Sequence, residues 1–273
     1  AVDKLIGQQE AFGQLVQKLC WNEDRFIRGF TEAGETIGKR TDPEANLWLN
    51  PQSWAVISGL ASKEQADTIL NTVHEGLNTD YGAMLMQPPY HAHAFDGALA
   101  VIYNAGVKEN AGIFSQSQGW LVLAEALLGH GNRAFEYYKE NSPAEQNDRA
   151  EIRKLEPYCY GQFTEGKDSP HFGRSHVHWL TGTASTMMVG TVEGILGVRP
   201  DLHGLRLAPS IPAEWDGFTM EKTFRGHKLH ITVRNPDHKE TGCTNLTLNG
   251  AMLPSNYIPA EQLMAENKIV LTM

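Results

Sequence analysis

The sequence changes its hydrophobic pattern at Gly194-Ile195-Leu196-Gly197-Val198-Arg199-Pro200. Before this stretch, apolar residues recur at the spacing of amphipathic helices. After it, apolar and polar residues alternate, most clearly over 228–234, which is typical of half-buried strands. We therefore expect a helical domain over residues 1–198 and a β domain over residues 199–273.

About six helices can be placed before Pro200 from periodicity and capping residues. Asn50-Pro51 is typical of a helix start with Asn50 as the N-cap, and Ser62 to Gln65 form a capping box. Segment 78–118 has few helical signals and many Pro, Gly, His and aromatic residues, as functional loops often do. The other helices are expected at about 2–19, 120–128, 132–138 and 184–196.

Alternation after Pro200 predicts strands at four places. The dipeptide Asn249-Gly250 lies between the last two of them and is typical of a two-residue hairpin turn. The four predicted strands are 205–207, 228–234, 246–248 and 269–271.

Composition excludes several classes of function. A net charge of -9 disfavours nucleic acids and anionic membranes as partners, and no apolar run is long enough to span a bilayer. The first residues do not form a signal peptide. Cys20, Cys159 and Cys243 have neither zinc-ligand spacing nor the even number of a disulfide framework. We therefore expect a cytoplasmic protein.

The helical pattern is already present at Val2, without a capping residue before it other than Ala1. Helices usually begin after Ser, Thr, Asp or Asn. The pattern indicates that the chain is part of a longer one, and a frayed natural terminus is the alternative. Because apolar faces over 2–19 and 54–60 lack partner helices, we expect either an N-terminal half of the same enzyme or a homodimer.

Five motifs occur in order at 107–114, 155–158, 179–184, 194–200 and 211–218. Together they resemble glycoside hydrolase family ninety-four, which includes disaccharide phosphorylases. The resemblance implies a mostly α chain, the second half of an (α/α)6 toroid, followed by a small C-terminal β-sandwich. A whole toroid needs roughly twice the helical length found here, which agrees with this implication.

The resemblance also implies phosphorolysis of a β-linked disaccharide with inversion. An acid protonates the leaving oxygen, and inorganic phosphate replaces the water of an inverting hydrolase. Phosphate is then a co-substrate, and no other cofactor is expected. A non-catalytic carbohydrate-binding fragment and an inverting glycoside hydrolase are the alternatives.

Three residues are expected to bind phosphate. Thr181 and Gly182 precede a predicted helix, where a hydroxyl and free N–H groups attract anions; a simple N-cap is the alternative. The family position for a phosphate-binding His is occupied by Gln116. Gln can donate an N–H but carries no charge, so the resemblance implies weaker phosphate binding here.

The resemblance assigns contacts with the donor sugar to Lys108, Glu109 and Gln162. For Lys108 and Glu109, an exposed ion pair is the alternative. Acceptor choice in the family depends on the positions of Leu99 and Tyr103. Tyr103 could stack on a sugar ring or be a core aromatic residue.

His91, His93, His176 and His178 form two His-X-His pairs, but neither has a carboxylate at metal-binding spacing. We expect no metal. The family's general acid is an Asp on a loop ahead of the segment that matches 21–24. Asp24 imitates that motif at the wrong place, so we expect no catalytic acid in this chain and no activity of the chain alone.

Overall fold

The computed structural model describes residues 2–91 and 103–273. The chain divides into two compact units. The first consists of Ala1–Trp120 and Lys139–Thr186, and the second consists of Leu121–Tyr138 and Met187–Met273. Within the described ranges, no helix combines the length and the apolar character needed to cross a lipid bilayer.

Six of the seven α-helices in the described residues lie where apolar periodicity predicts a helix. The short helix Ala150–Arg153 is not predicted. The helix Thr183–Val189 continues as a π-helix over Gly190–Ile195, and the helix Ser115–Leu128 begins five residues before the expected Trp120. The helices are α1 (Val2–Cys20), α2 (Leu49–Ile57), α3 (Lys63–Leu77), α4 (Ser115–Leu128), α5 (Gly131–Asn141), α6 (Ala150–Arg153) and α7 (Thr183–Val189).

The two predicted helix caps have different outcomes. The N-cap of α2 is Trp48, so the prediction that Asn50 caps this helix is wrong. Pro51 still lies in the first turn, where its missing N–H leaves no helical hydrogen bond unmade. At α3, the Ser62 hydroxyl accepts from the backbone N–H of Gln65, and the Gln65 side chain accepts from that of Ser62. The capping box is therefore confirmed.

The part of the chain before Val198 is less purely helical than expected, because nine short strands interrupt the helices in the described residues. Seven of them have two residues, which is too short for an alternating pattern to be recognised. The strands are β1 (Trp21–Asn22), β2 (Arg25–Phe26), β3 (Gly29–Phe30), β4 (Thr36–Ile37), β5 (Leu47–Trp48), β6 (Met86–Gln87), β7 (Ile113–Phe114), β8 (Gly161–Thr164) and β9 (Ser175–His178).

The strands after Gly197 form two sheets. The strands are β10 (Val198–Asp201), β11 (Gly204–Leu207), β12 (Gly217–Phe224), β13 (His227–Arg234), β14 (Asn245–Leu248), β15 (Ala251–Met252), β16 (Tyr257–Pro259) and β17 (Glu266–Thr272). One sheet has the order β10-β11-β16, and the other has β12-β13-β17-β14-β15. The four predicted strands lie in β11, β13, β14 and β17. Strands β13 and β17 pair in parallel and bury alternate residues.

The predicted hairpin turn joins β14 to β15. Leu248 pairs with Ala251, and the two residues between them, Asn249 and Gly250, have φ of 52° and 88°. Positive φ at both central positions is what a type I′ turn requires, and Asn and Gly tolerate it best. The turn prediction from this dipeptide is confirmed.

Gln118 of α4 fixes the loop that follows α3. Its side chain is fully buried. Its Oε1 accepts from Ala83 N at 2.8 Å, and its Nε2 donates to Ala83 O at 2.8 Å and to Phe114 O at 3.1 Å. A Cβ on Gly82 would lie 2.8 Å from that Oε1, at a φ of +108°. The amide therefore holds α4, β7 and this loop together.

Replacing this amide should destabilise the first unit. In Gln118→Leu, the buried N–H and C=O of Ala83 lose their partner, which costs about 1–3 kcal/mol of unfolding free energy. Urea denaturation measures the change. The control is Gln8→Leu on the exposed surface of α1, where a change within about 0.5 kcal/mol is expected. Equal stability of the two variants would contradict the role assigned to Gln118.

Candidate functional site

The three-stranded sheet β7-β8-β9 brings three chain segments to one edge. Strands β7 and β9 are both antiparallel to β8, so they run in the same direction. Phe114 at the end of β7 pairs with Phe163, and His178 at the end of β9 pairs with Gly161. Strand β9 therefore ends beside the first residue of β8, and β7 ends beside its third residue, so both point toward the start of β8. Strand β7 leads directly into α4, and β9 leads into α7 through 179–182.

Gln116 and Gly182 lie against each other at this edge. A Cβ added to Gly182 would be 3.2 Å from Cδ and 3.3 Å from Nε2 of Gln116, so the amide covers the face of the glycine. Thr186 Oγ1 donates to Gln116 O at 3.0 Å, while Thr186 N donates to Gly182 O at 3.2 Å. The first turns of α4 and α7 are thus joined by a hydrogen bond.

The Thr181 hydroxyl accepts from Thr183 N at 3.2 Å and lies 2.6 Å from Thr183 Oγ1. When the Thr183 hydroxyl donates in this pair, the O–H of Thr181 remains available to a ligand. Helix starts also carry N–H groups without intrahelical acceptors and a partial positive charge. Thr181 can therefore act as a helix cap and as an anion donor at the same time.

Lys108 sits on a tight turn that directs its side chain to the sheet. Its backbone is left-handed, with φ of 49°, and its carbonyl accepts from Gly112 N at 3.0 Å. Its Nζ lies 5.4 Å from the ring centroid of Tyr103 and 5.8 Å from that of Phe163. Both are cation–π distances. The structure thus brings together two of the predicted sugar-binding residues, Lys108 and Tyr103.

Glu109 has a buried oxygen, Oε2, that makes no hydrogen bond to any described residue. A buried acceptor without a partner is costly, and a ligand hydroxyl would supply the missing donor. Of the neighbouring expectations, Leu99 and His93 lie outside the described residues. Tyr103 is half-buried against Lys108, and this position is compatible with a core aromatic as well as with a sugar contact.

Gln162 lies in β8 between Gly161 and Phe163. Because successive side chains of a strand point to opposite faces, Gln162 points away from the face that carries Phe163. The structure thus brings Gln116 to Gly182 and Lys108 to Tyr103. Gln162 lies on the opposite face of the sheet from the Lys108–Phe163 contact.

Backbone strain is concentrated in the segment that leads from β9 to α7. Val177 has φ of 56° and Trp179 has φ of 61°, a region that bulky and β-branched residues rarely adopt. The Trp179 side chain is nevertheless 68% exposed, and its ring lies 6.1 Å from that of Tyr158. Strain of this kind is typical of functional segments.

Two of the histidines lie beside carboxylates. His176 Nε2 lies 2.6 Å from Glu165 Oε1, and His178 Nδ1 lies 3.8 Å from Glu156 Oε2. Among residues 2–91 and 103–273, no cluster of three or more His, Cys, Asp or Glu side chains could hold a metal ion.

Asp24 is held in an ionised state by two arginines. Burial raises its pKa, but the hydrogen bond from Arg25 at 2.7 Å and the charges of Arg25 and Arg40 outweigh burial, so the pKa lies below its usual range. A general acid must carry a proton at working pH. The environment of Asp24 is therefore unsuited to that role.

Three side chains positioned by this sheet and the helix after it are not predicted from the sequence, namely Phe163, Glu165 and Thr186. Phe163 and Glu165 follow Gln162 closely, and Thr186 belongs to the hydroxyl-rich run 181–186. That run was the available signal, because repeated hydroxyls at a helix start favour local hydrogen bonds. The cross-strand contacts of Phe163 and Glu165 have no such local signature.

Two family models match consecutive parts of the chain. The family model of the glycosyl hydrolase 94 superfamily, catalytic domain, matches residues 3–197, and that of the glycosyl hydrolase family 65, C-terminal domain, matches residues 198–245. The chain is 37% identical over 255 residues to N,N'-diacetylchitobiose phosphorylase of Vibrio proteolyticus, with 93% of this chain and 32% of that protein covered.

Two further relatives have similar coverage. N,N'-diacetylchitobiose phosphorylase of Vibrio furnissii is 34% identical over 275 residues, with 100% of this chain and 34% of that protein covered. Cellobionic acid phosphorylase of Neurospora crassa is 31% identical over 242 residues, covering 87% and 30%. The chain thus spans about a third of the length of these curated relatives.

A histidine at position 116 should strengthen anion binding at the α4 and α7 starts. At pH 6 an imidazole is largely protonated. Because a charge-assisted hydrogen bond is stronger than a neutral one, we expect phosphate to bind roughly fivefold more tightly. Titration of the chain with inorganic phosphate, followed by 31P NMR, measures the dissociation constant of Gln116→His. Gln14→His, on the exposed surface of α1, is the control. An unchanged dissociation constant in Gln116→His would place the anion site elsewhere.

Proposed function

Because this chain belongs to the glycosyl hydrolase 94 superfamily, we propose that it is the C-terminal part of an inverting β-disaccharide phosphorylase. The enzyme would convert a β-linked disaccharide and phosphate into an α-sugar 1-phosphate and a free sugar. In this proposal, the chain supplies contacts to phosphate and to the donor sugar. Several relatives named as disaccharide phosphorylases support it.

The observation that carries the proposal is the contact of Gln116 with Gly182, the residue next to Thr181. These residues come from distant parts of the sequence, yet they lie at two adjacent helix starts. Two helix N-termini, an amide N–H and a hydroxyl form a set of donors suited to a phosphate dianion. Phosphate held there loses orientational freedom before it attacks the sugar.

Lys108, Glu109, Tyr103 and Gln162 are the proposed sugar contacts. The buried Glu109 Oε2 can accept a sugar hydroxyl, and the Lys108 ammonium can donate to a second one. Tyr103 is proposed to contact the sugar through its ring, since aromatic faces line many small-molecule sites. Gln162 lies on the other face of the sheet, so its assignment as a sugar contact has the least structural support of the four.

The proton for the leaving group is proposed to come from outside this chain. The arginines around Asp24 lower its pKa, which opposes proton donation, and Glu109 is assigned to sugar binding. A missing general acid reduces the rate by about 10²–10⁴-fold. We therefore propose that the part of a full-length relative that this chain does not match supplies the acid.

Helix α1 is proposed to pack on further helices of an (α/α)6 toroid, with the strands after Gly197 as a small β-sandwich. None of the side chains of α1 is buried, although an apolar stripe runs along the helix. Such a stripe usually marks an interface. We propose that the N-terminal half of the same enzyme covers it, and that a homodimer forms in its absence. The exposed members are Val2, Leu5, Ile6, Phe12, Leu15 and Leu19.

The enzyme is proposed to act in the cytoplasm. All three cysteines are free, and Cys159 is buried, as in proteins of reducing compartments.

An activity assay tests the function. A full-length enzyme that contains this chain should release an α-sugar 1-phosphate from a β-disaccharide and phosphate, detected by 31P and 1H NMR. N,N'-diacetylchitobiose is the first substrate to test, since two relatives are named for it. The chain alone should be inactive, and Asp24→Asn should leave the full-length rate within about twofold, because the acid lies elsewhere.

Each contrary result has a distinct meaning. Release of free sugar without sugar phosphate would favour an inverting hydrolase. Sugar binding without turnover in the full-length protein would favour a non-catalytic fragment. Turnover by the chain alone that is lost in Asp24→Asn would show that the acid lies in this chain.

Charging the stripe of α1 tests the partner. The chain alone should self-associate in sedimentation velocity, and Phe12→Glu with Leu15→Glu should make it monomeric, because two charges cannot be buried in an apolar interface without a large cost. Glu10→Gln with Gln14→Glu is the control, since both positions on α1 are already exposed and polar. A wild-type chain that is already monomeric, or self-association that persists in Phe12→Glu with Leu15→Glu, would contradict the proposed interface.

A further inference from the structure

Four side chains form a continuous line of contacts behind the predicted sugar site. Glu165 is only 5% exposed, and its Oε1 accepts from His176 Nε2 at 2.6 Å. The His176 ring stacks on Phe163 with a centroid distance of 4.9 Å and an interplanar angle of 12°. The Phe163 ring in turn contacts Lys108 Nζ. A carboxylate, an imidazole, a phenyl ring and an ammonium thus follow one another.

The carboxylate end of this line is fixed. The Ser169 hydroxyl donates to Glu165 Oε2, so both oxygens of this carboxylate are engaged. The backbone of Glu165 is also paired, since its N–H donates to Arg174 O at 2.9 Å and its C=O accepts from Gly173 N at 3.0 Å. A side chain held at this many points has little freedom to move.

The segment that carries Glu165 also packs on the turn that carries Lys108. Gly166 N donates to Gly106 O at 2.8 Å. A Cβ on Gly106 would collide with the backbone of Ser169, and a Cβ on Gly166 would collide with Ala111 O. The backbone contacts place the turn, and the side-chain line ends on the Lys108 ammonium.

We propose that Glu165 and His176 are positioning residues for the donor-sugar site. The carboxylate sets the orientation of the imidazole, the imidazole sets the plane of the Phe163 ring, and the ring sets the place of Lys108 Nζ. This inference rests on the proposed function, because it assigns Lys108 to the sugar. An apolar pair could join β8 and β9 without burying a charge, so strand pairing alone does not explain a buried Glu–His pair.

Glu165→Gln tests the proposal in a full-length enzyme that contains this chain. The amide keeps the size of the side chain but loses the charge that holds His176. We expect kcat/KM for the disaccharide to fall roughly 10- to 100-fold, since small misplacements have effects of that size, while KM for phosphate stays within about twofold. Lys108→Ala is the second variant, and the double variant Glu165→Gln with Lys108→Ala completes a double-mutant cycle.

The cycle separates positioning from a structural role. When Glu165 acts through Lys108, the double variant loses no more activity than Lys108→Ala alone. If the losses of kcat/KM in the two single variants multiply in the double variant, the proposal is overturned. The matched control is Thr164→Val, which removes the buried 2.6 Å contact of Thr164 with Ser175 between the same two strands. It should keep its kcat/KM, and a loss equal to that of Glu165→Gln would also overturn the proposal.

A measurement on the chain itself does not depend on activity. Lysines are methylated with 13C, and the signal of Lys108 is assigned by its absence in Lys108→Arg. In the wild type, ring currents of Tyr103 and Phe163 shift this signal away from those of exposed lysines. Glu165→Gln should move it toward them, and an unmoved signal would overturn the proposal. If Glu165→Gln does not fold, Ser169→Ala replaces it, because this variant removes one hydrogen bond of Glu165. The Lys108 signal should then move in the same direction, and an unmoved signal would overturn the proposal.

The two proposals can fail separately. A wild-type enzyme without phosphorolysis contradicts the proposed function, and the lysine signal then decides on positioning alone. An active wild type whose variants show multiplying losses contradicts the positioning role and leaves the function standing.

Discussion

The antiparallel pairing of β8 with both β7 and β9 is the constraint on which the candidate site depends. It makes β7 and β9 run in the same direction, so that both point toward the edge where β8 begins. Each of the two strands is followed within a few residues by a helix. Two helix starts are thereby placed side by side, and Gln116 comes to lie on Gly182. The sheet therefore brings together Gln116 and Gly182, which are about 65 positions apart in the sequence.

The same sheet links the anion site to the sugar contacts. Phe163 is the partner of Phe114 on one side and of His176 on the other, and its ring contacts Lys108. A phosphorylase must hold phosphate and sugar in a fixed relation, since in-line attack tolerates little displacement. A rigid sheet that carries both sets of contacts fits that demand, as sites on regular elements are more precise than sites on loops.

The sequence predicts those parts of the fold whose signals are local. Apolar periodicity identifies most helices, Ser62 with Gln65 identifies a cap, and Asn249-Gly250 identifies a hairpin. Strands of two residues such as β7 have no periodicity to detect, and α4 begins earlier than its apolar stripe. The residue types of the site came from the family resemblance. The contact of Gln116 with Gly182 depends on strand pairing between distant segments, and the Glu165–His176 contact depends on it as well.

The position of bound phosphate can be measured in a crystal structure of the chain grown with phosphate and a β-disaccharide. We expect a phosphate within hydrogen-bond distance of Thr181 Oγ1 and Gln116 Nε2, with a sugar hydroxyl on Glu109 Oε2. The distance from phosphorus to the anomeric carbon would then be short enough for in-line attack. A phosphate bound away from Gly182, with the Gln116 amide still covering that glycine, would show that the anion site lies elsewhere.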